Sequence, residues 1–423
     1  MYVIVTILLI WIIIDIFRYI QYLALYKLFN TDHPIRDHNH KNISLMINDL
    51  KSDPDMLKNI ITDIFFSQIS LENMCYNDVL DAMYELCNLD TLFFNDIKLM
   101  IDNLIQSEAL KKRIIFNSKQ YHNRLRYKSN KLKSWFLPLP LYLITKIVWL
   151  SVITYMKYLG YKSHTLDDGL IIWYSEYDKS KGTPLVFFHP SVGGVALQYT
   201  ILKHLHKTHN IIMPEIPGLS FIDSYDKPLS INKIVADVHS FITTKYMDNS
   251  QNSEITENKI NLMGNSLGCS ICCAYINMYP KTIDNFFCVE GQIFFPRGLK
   301  IFASFEQNIF DNQFDEILTL PFFHRDLYVQ YFMYKRLSLD LTYLFDLNSD
   351  DKKHIKLHMY HVKDDSRILI KPQLKYACNK KFSLTYHLFD GDYSHGAFVL
   401  SNKFKQYVID DIQKIYSETK FEN

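Results

Sequence analysis

A chain of 423 residues with a formal net charge of +1 has room for one large domain and a further region, and its charge balance argues against a nucleic-acid partner for the whole chain. Hydrophobic residues make up 48% and aromatics 15%, with 29 Tyr and 29 Phe, enough to bury a large core. Seven cysteines, an odd number without regular spacing, argue against a disulfide framework.

Residues 2–14 are almost wholly apolar, Asp15 and Arg18 interrupt, and Tyr19 to Leu28 continue the run. A spanning helix needs about 20 residues. That length is reached only if Asp15 and Arg18 are tolerated, which pairing at i, i+3 would permit. A cleaved signal peptide fits poorly, because a basic leading region and a small-residue cleavage site are both missing. Residues 1–30 therefore read as a membrane anchor helix, with a buried core helix as the alternative. Arg18 and Lys27 follow the apolar core, and the positive-inside bias then places the later chain in the cytoplasm.

Residues 31–134 read as a helical region ending in a basic segment. Val79–Leu86 and Ile97–Ile105 have helical apolar spacing without chemistry of their own. Asn42-Ile43-Ser44 is the only glycosylation sequon. Lys111, Lys112, Arg113, Lys119, Arg124, Arg126, Lys128, Lys131 and Lys133 then follow with no acidic residue among them. Such a run is a solvated face or, beside an apolar helix, a binder of anionic lipid heads. Residues 135–160 supply that helix. Lys146 and Lys157 are eleven apart and share a face, which predicts a helix lying in the membrane interface. Packing against the following domain is the alternative.

From about Tyr161 onward, strand-like runs alternate with helical ones. Leu170–Tyr174 reads as the first strand, then Pro184–Phe188, Asn210–Pro214, Ile260–Met263, Ile355–Val362 and Leu384–Phe389. Between about 291 and 351 the rhythm breaks and aromatics crowd, among them Phe294, Phe295, Phe302, Phe305, Phe310, Phe314, Phe322, Tyr328, Tyr331, Phe332 and Tyr334. A helical cap there would make an apolar acyl or aryl pocket.

Gly264-Asn265-Ser266-Leu267-Gly268 stands between a strand pattern and a helix pattern. That context makes G-x-S-x-G a nucleophile elbow, with glycines where a side chain would collide and the Ser266 hydroxyl held out. A serine hydroxyl needs a base. His395, in a loop between the last strand and an apparent helix, is placed to be one. The acid that orients it stays open among three carboxylates. Asp365 is favoured, because the apolar Ile368 follows it by three; Asp364 is next; Glu290, after the preceding strand, is a third option. The N–H of Leu267 opens a helix and could donate to an oxyanion. Ser191, in the Gly-rich loop His189–Gly194, could supply the second donor, since Pro190 has no N–H. Cys269, Cys272 and Cys273 fall in the helix after the elbow, where small apolar residues pack on a sheet and need no metal.

These parts, in this order, resemble an α/β-hydrolase over roughly the last three-fifths of the chain. More narrowly the chain is similar to membrane-associated, fungal-type eukaryotic members with an F-H-G-x-G-x-G-x-x-x-Y segment, a P-E-I-P segment and a G-H-S-x-G elbow. Here Phe188-His189 runs on to Gly193, Gly194 and Tyr199, and Pro214-Glu215-Ile216-Pro217 matches the second segment. Pro190 and Asn265 depart from the pattern. The resemblance implies an α/β fold, a mostly parallel sheet flanked by helices with a helical cap, occupying 161–423. It implies a serine hydrolase without metal or organic cofactor, acting on a small-molecule or lipid ester at a membrane. The rival expectations are cleavage of a thioester, amide or carbon–carbon bond, and a catalytically inactive binding protein. Nothing in the sequence speaks to the oligomeric state.

Overall fold

The structure is a computed structural model that describes residues 2–31, 40–64, 76–87, 94–112, 132, 134, 136–191, 193–221, 228–246, 259–294, 327–332, 342–363, 365, 368, 370–391 and 395–422. Most of the expected cap (295–326 and 333–341), most of the basic run (113–131 and 133) and Asp364 lie outside the described residues.

The apolar runs of the second half form one eight-stranded sheet. Its strands are β1 (Lys162–Thr165), β2 (Ile171–Tyr174), β3 (Leu185–Phe188), β4 (Ile211–Glu215), β5 (Ile260–Asn265), β6 (Ile283–Val289), β7 (Lys356–Val362) and β8 (Leu384–Phe389), in the order β1-β2-β4-β3-β5-β6-β7-β8. β2 runs antiparallel to both neighbours, and every other pairing is parallel. The run expected as the first strand is thus the second. The true first strand, Lys-Ser-His-Thr, is a largely exposed edge that carries no apolar signal.

Strands β3, β4 and β5 are buried along their whole length, as parallel strands covered on both faces must be. Alternation divides their side chains. Leu185 and Phe187 face a core shared with α7 (Gly194–Leu205) and α13 (Asn402–Glu422). Val186 and Phe188 face the opposite core, built with α8 (Ile231–Phe241) and α9 (Leu267–Met278). Among the described residues, the hydrolase-like part also holds α10 (Leu327–Tyr331), α11 (Ile370–Asn379) and α12 (Ala397–Leu400). Cys269, Cys272 and Cys273 are fully buried in α9, and burial pushes their thiols well up.

Among the described residues, six α-helices precede the sheet: α1 (Tyr2–Thr31), α2 (His40–Ser52), α3 (Pro54–Ile64), α4 (Tyr76–Cys87), α5 (Phe94–Lys112) and α6 (Leu139–Tyr158). Residues of α2 to α5, including Met46, Leu50, Ile60, Val79, Met83 and Ile101, belong to the same continuous core as α8 and α9. Asn42 of the sequon is 3% exposed on α2 and out of reach of a glycan. At the far end of α2, Asp49 accepts a hydrogen bond of 2.5 Å from the Tyr376 hydroxyl and pairs with Lys380.

Among the described residues, two helices are long and apolar enough to cross a membrane: α1 over Leu9–Thr31 (23 residues) and α6 over Leu139–Tyr158 (20 residues). They touch where the polar pair interrupts α1. Asp15 accepts from Arg18 at 3.3 Å and from the Leu139 backbone N–H at 3.1 Å. The Arg18 guanidinium lies 4.0 Å from the Tyr142 ring centre. Much of the remaining surface is apolar, with Ile12, Ile13, Ile16, Phe17 and Ile20 on α1 and Ile144, Ile147 and Leu150 on α6 all exposed. Lys146 does not share an outward face with Lys157. It turns inward and donates to the Phe221 carbonyl at 2.6 Å, because a carbonyl there takes up its charge.

Candidate active site

The chain has the α/β-hydrolase fold, and in such open sheets the chemistry gathers beyond the carboxyl ends of the parallel strands. Ser266 stands at the end of β5 as the first residue outside the strand. Its φ of 52° and ψ of −114° are strained for a residue with a side chain. The strain is held from both sides. The Ser266 N–H donates to Val289 O of β6 at 2.9 Å. A Cβ on Gly264 would meet Cys269 N at 2.5 Å, and one on Gly268 would meet Phe188 O at 2.0 Å, so neither position admits a side chain.

The Ser266 hydroxyl is 2.9 Å from His395 Nε2. His395 comes from the loop between β8 and α12, and its Nδ1 lies 3.0 Å from Asp365 Oδ2. A carboxylate accepts only, so Nδ1 carries the proton and Nε2 is left to receive one from the serine. Asp365 follows β7, and its other oxygen accepts the Ile368 N–H at 2.9 Å, which fixes the turn. Burial works to raise the Asp365 carboxyl, but the charge and hydrogen bond of His395, the Ile368 N–H and His361 outweigh it and hold the group below its ordinary value. Both side chains are nearly closed to solvent, at 10% for His395 and 0% for Asp365.

Glu290, the third candidate acid, does not bond the imidazole. It is fully buried at a φ of 49° and accepts the backbone N–H groups of Gly396 (3.1 Å) and Phe398 (3.3 Å). The Asn265 amide also reaches it, at 3.4 Å. Glu290 therefore grips the backbone just after His395, while Asp365 takes the ring. Burial is the main reason its carboxyl is pushed up to about 7; the nearby Asp365 adds to this, and His395 works against it. Asn265, where the resembling proteins have His, points its side chain back toward β6, with its amide 3.4 Å from Val289 O.

Leu267 opens α9, and Ser191 follows the end of β3, whose Phe188 pairs with Gly264. The loop that carries Ser191 thus starts beside the elbow. His189 braces its beginning. Its Nδ1–H donates to Pro190 O at 2.6 Å, and its Nε2 accepts the Ile216 N–H at 3.1 Å. Burial pushes the His189 imidazole down to about 4, so it stays neutral and keeps that acceptor. Glu215, which the sequence offered only as part of P-E-I-P, is fully buried on the residue before and bonded to two tryptophans. Among the described residues no group of three or more His, Cys, Asp or Glu side chains is arranged to hold a metal.

No protein-family model matches the chain. Lipase 1 of Psychrobacter immobilis is 28% identical over 138 residues, which are 33% of this chain and 41% of that protein, so the match spans about two-fifths of the relative's length. Among solved structures, a candidate lipase (lip1) of Acinetobacter baumannii aligns at a TM-score of 0.49 with 17% identity, covering 65% of this chain and 97% of that one. The virulence factor BioJ of Francisella aligns at 0.47 with 14% identity, covering 65% and 91%. The naproxen esterase of Bacillus subtilis aligns at 0.45 with 12% identity, covering 64% and 98%.

Proposed function

We propose that this chain is a membrane-associated serine hydrolase that cleaves a carboxylic ester of a lipid-like molecule. The observation that carries the reading is the unbroken hydrogen-bonded chain from the Ser266 hydroxyl through His395 to Asp365, with the hydroxyl on a strained elbow. Ser266 Oγ attacks the acyl carbonyl as His395 Nε2 takes its proton, and Asp365 stabilises the imidazolium. The N–H groups of Leu267 and Ser191 hold the oxyanion. The tetrahedral species collapses, His395 returns the proton to the departing alkoxide, and an acyl-enzyme remains. Water, deprotonated by His395, then releases the acid and frees Ser266.

A lipid-like substrate is supported by the bare apolar faces of α1 and α6 and by the aromatics of the cap region. A stretch of 138 residues is 28% identical to a protein described as a lipase. Arg18 and Lys27 behind the first apolar run support a cytoplasmic placement of the hydrolase part.

Labelling with a fluorophosphonate tests the reading. Wild-type protein should label and Ser266→Ala should not. Asp365→Asn should label far more slowly, since a wrong imidazole tautomer alone costs about 10⁴-fold in rate. Folded wild-type protein that stays unlabelled overturns the assignment. Turnover confined to small soluble esters, with no gain from phospholipid vesicles, overturns the lipid part alone.

A further inference from the structure

Beside the candidate catalytic residues lies a second buried carboxylate that the proposed reaction does not use. Glu215 ends β4, fully closed to solvent. Its Oε2 accepts from Trp173 Nε1 of β2 at 2.7 Å, and its Oε1 from Trp149 Nε1 of α6 at 3.0 Å. Burial pushes the Glu215 carboxyl up to about 7, and the two tryptophans and the nearby Val195 backbone, in the first turn of α7, work against it. The approach is close: a Cβ on Gly194 would lie 2.8 Å from Oε1. Every partner is a donor, so a carboxylate is the group that satisfies them all.

The neighbours in sequence complete the arrangement. Ile216, next along the chain, donates to His189 Nε2, and His189 in turn donates to Pro190 O. Ile216 thus holds the start of the loop at His189, and Glu215 packs against its finish at Gly194. Ser191 lies between these anchor points. One turn before Trp149 on the same apolar helix, Lys146 is fastened to Phe221 O, a few residues beyond Glu215.

We propose that Glu215 is a positioning residue for the oxyanion loop 189–195, and that Trp149 of the apolar helix α6 acts on the loop through it. This inference rests on the serine-hydrolase reading above. A misplaced loop withdraws a donor from the transition state while leaving the acyl pocket in place, so the loss belongs in kcat more than in KM.

The test is steady-state hydrolysis of a p-nitrophenyl ester by the full chain in detergent, with active sites counted by a fluorophosphonate burst. Counting sites removes any contribution from misfolded protein. Loss of one oxyanion donor outright costs about 10²–10³-fold. Glu215→Gln, which turns one acceptor into a donor facing donors, should lower kcat per titrated site by about 10–100-fold with KM within about twofold. Trp149→Phe should lower kcat several-fold in the wild-type background and leave it unchanged in the Glu215→Gln background, the signature of one shared route. Wild-type kcat per site in Glu215→Gln overturns the proposal, and so do fully additive effects of the two substitutions. Should Glu215→Gln fail to fold, Trp149→Phe decides alone, and wild-type kcat per site there is the overturning result. Failure of wild-type protein to label is a different outcome and strikes the underlying reading instead.

Discussion

Asp365 and Glu290 stand at the ends of adjacent strands, both within the field of His395, and differ in what they receive. Asp365 takes the imidazole N–H, so its charge is stabilised; Glu290 takes backbone N–H groups in a fully buried place, and its charge is disfavoured. The consequence is a pH dependence of folding. In the unfolded chain Glu290 titrates near its ordinary 4.5, and in the folded chain near 7. Between these values the folded state binds the proton more tightly, so its contribution is full below about 4.5 and declines as pH rises to about 7. Glu290→Gln should flatten that decline, read as a smaller drop in Tm between pH 5 and pH 8. An unchanged slope would show that the carboxyl ionises normally. Ser266 and His395 were legible in the sequence because glycine spacing and strand rhythm mark their settings. The acid was narrowed only to Asp364, Asp365 or Glu290, since neighbouring carboxylates in one turn differ only in direction. Glu215 was illegible in its role, because Trp173 and Trp149 lie 42 and 66 residues away along the chain.

Between strand and helix, the elbow shows how an element is set by what it excludes. Gly268 faces the backbone of β3, and a methyl group there would sit 2.0 Å from Phe188 O. Gly396, just after His395, has a φ of 95° yet nothing within 4 Å of its missing Cβ. The two glycines are therefore kept for different reasons, one for space and one for backbone conformation. Gly268→Ala should abolish fluorophosphonate labelling and most of the folded yield. Gly396→Ala should fold and lose about 1–2 kcal/mol in denaturant unfolding, the cost of a left-handed conformation for an L residue. Equal tolerance at both positions would contradict the packing. Apolar rhythm announced the interior strands for the same steric economy, since both of their faces are buried. It missed β1, whose Lys-Ser-His-Thr pairs along an exposed edge and needs no apolar side chain.

At the scale of the whole molecule, the helical first part and the sheet share one hydrophobic core. The sequence marked the helices by their periodicity. Where they dock was beyond it, because Asp49 meets Tyr376 and Lys380 across 327 and 331 residues of chain. This contact fastens the early helices to α11, directly behind the turn that carries Asp365. Asp49→Asn leaves the shape and removes the charge that Tyr376 and Lys380 address. It should cost about 1–3 kcal/mol, measured as a lower Tm in a single transition. Two separate transitions in the wild type would show the parts to be independent.

The last turn of α1 carries the same lesson further. Phe29 is wholly buried, its ring centre 4.2 Å from that of Tyr331 and 5.3 Å from that of Tyr328, both on α10. Tyr328 in turn fills the space over Gly218, where a Cβ would lie 2.9 Å from it. The outer half of α1 presents hydrocarbon, while its inner end is a wedge beneath α10. Severing α1 to shed the greasy segment would leave a phenyl-sized hole under α10, a loss of the order of 3–5 kcal/mol for a buried Phe. Proteolytic removal of α1 would therefore destabilise the remainder of this protein. The exposed apolar run and the buried wedge are one helix, and selection cannot discard the first without rebuilding the second.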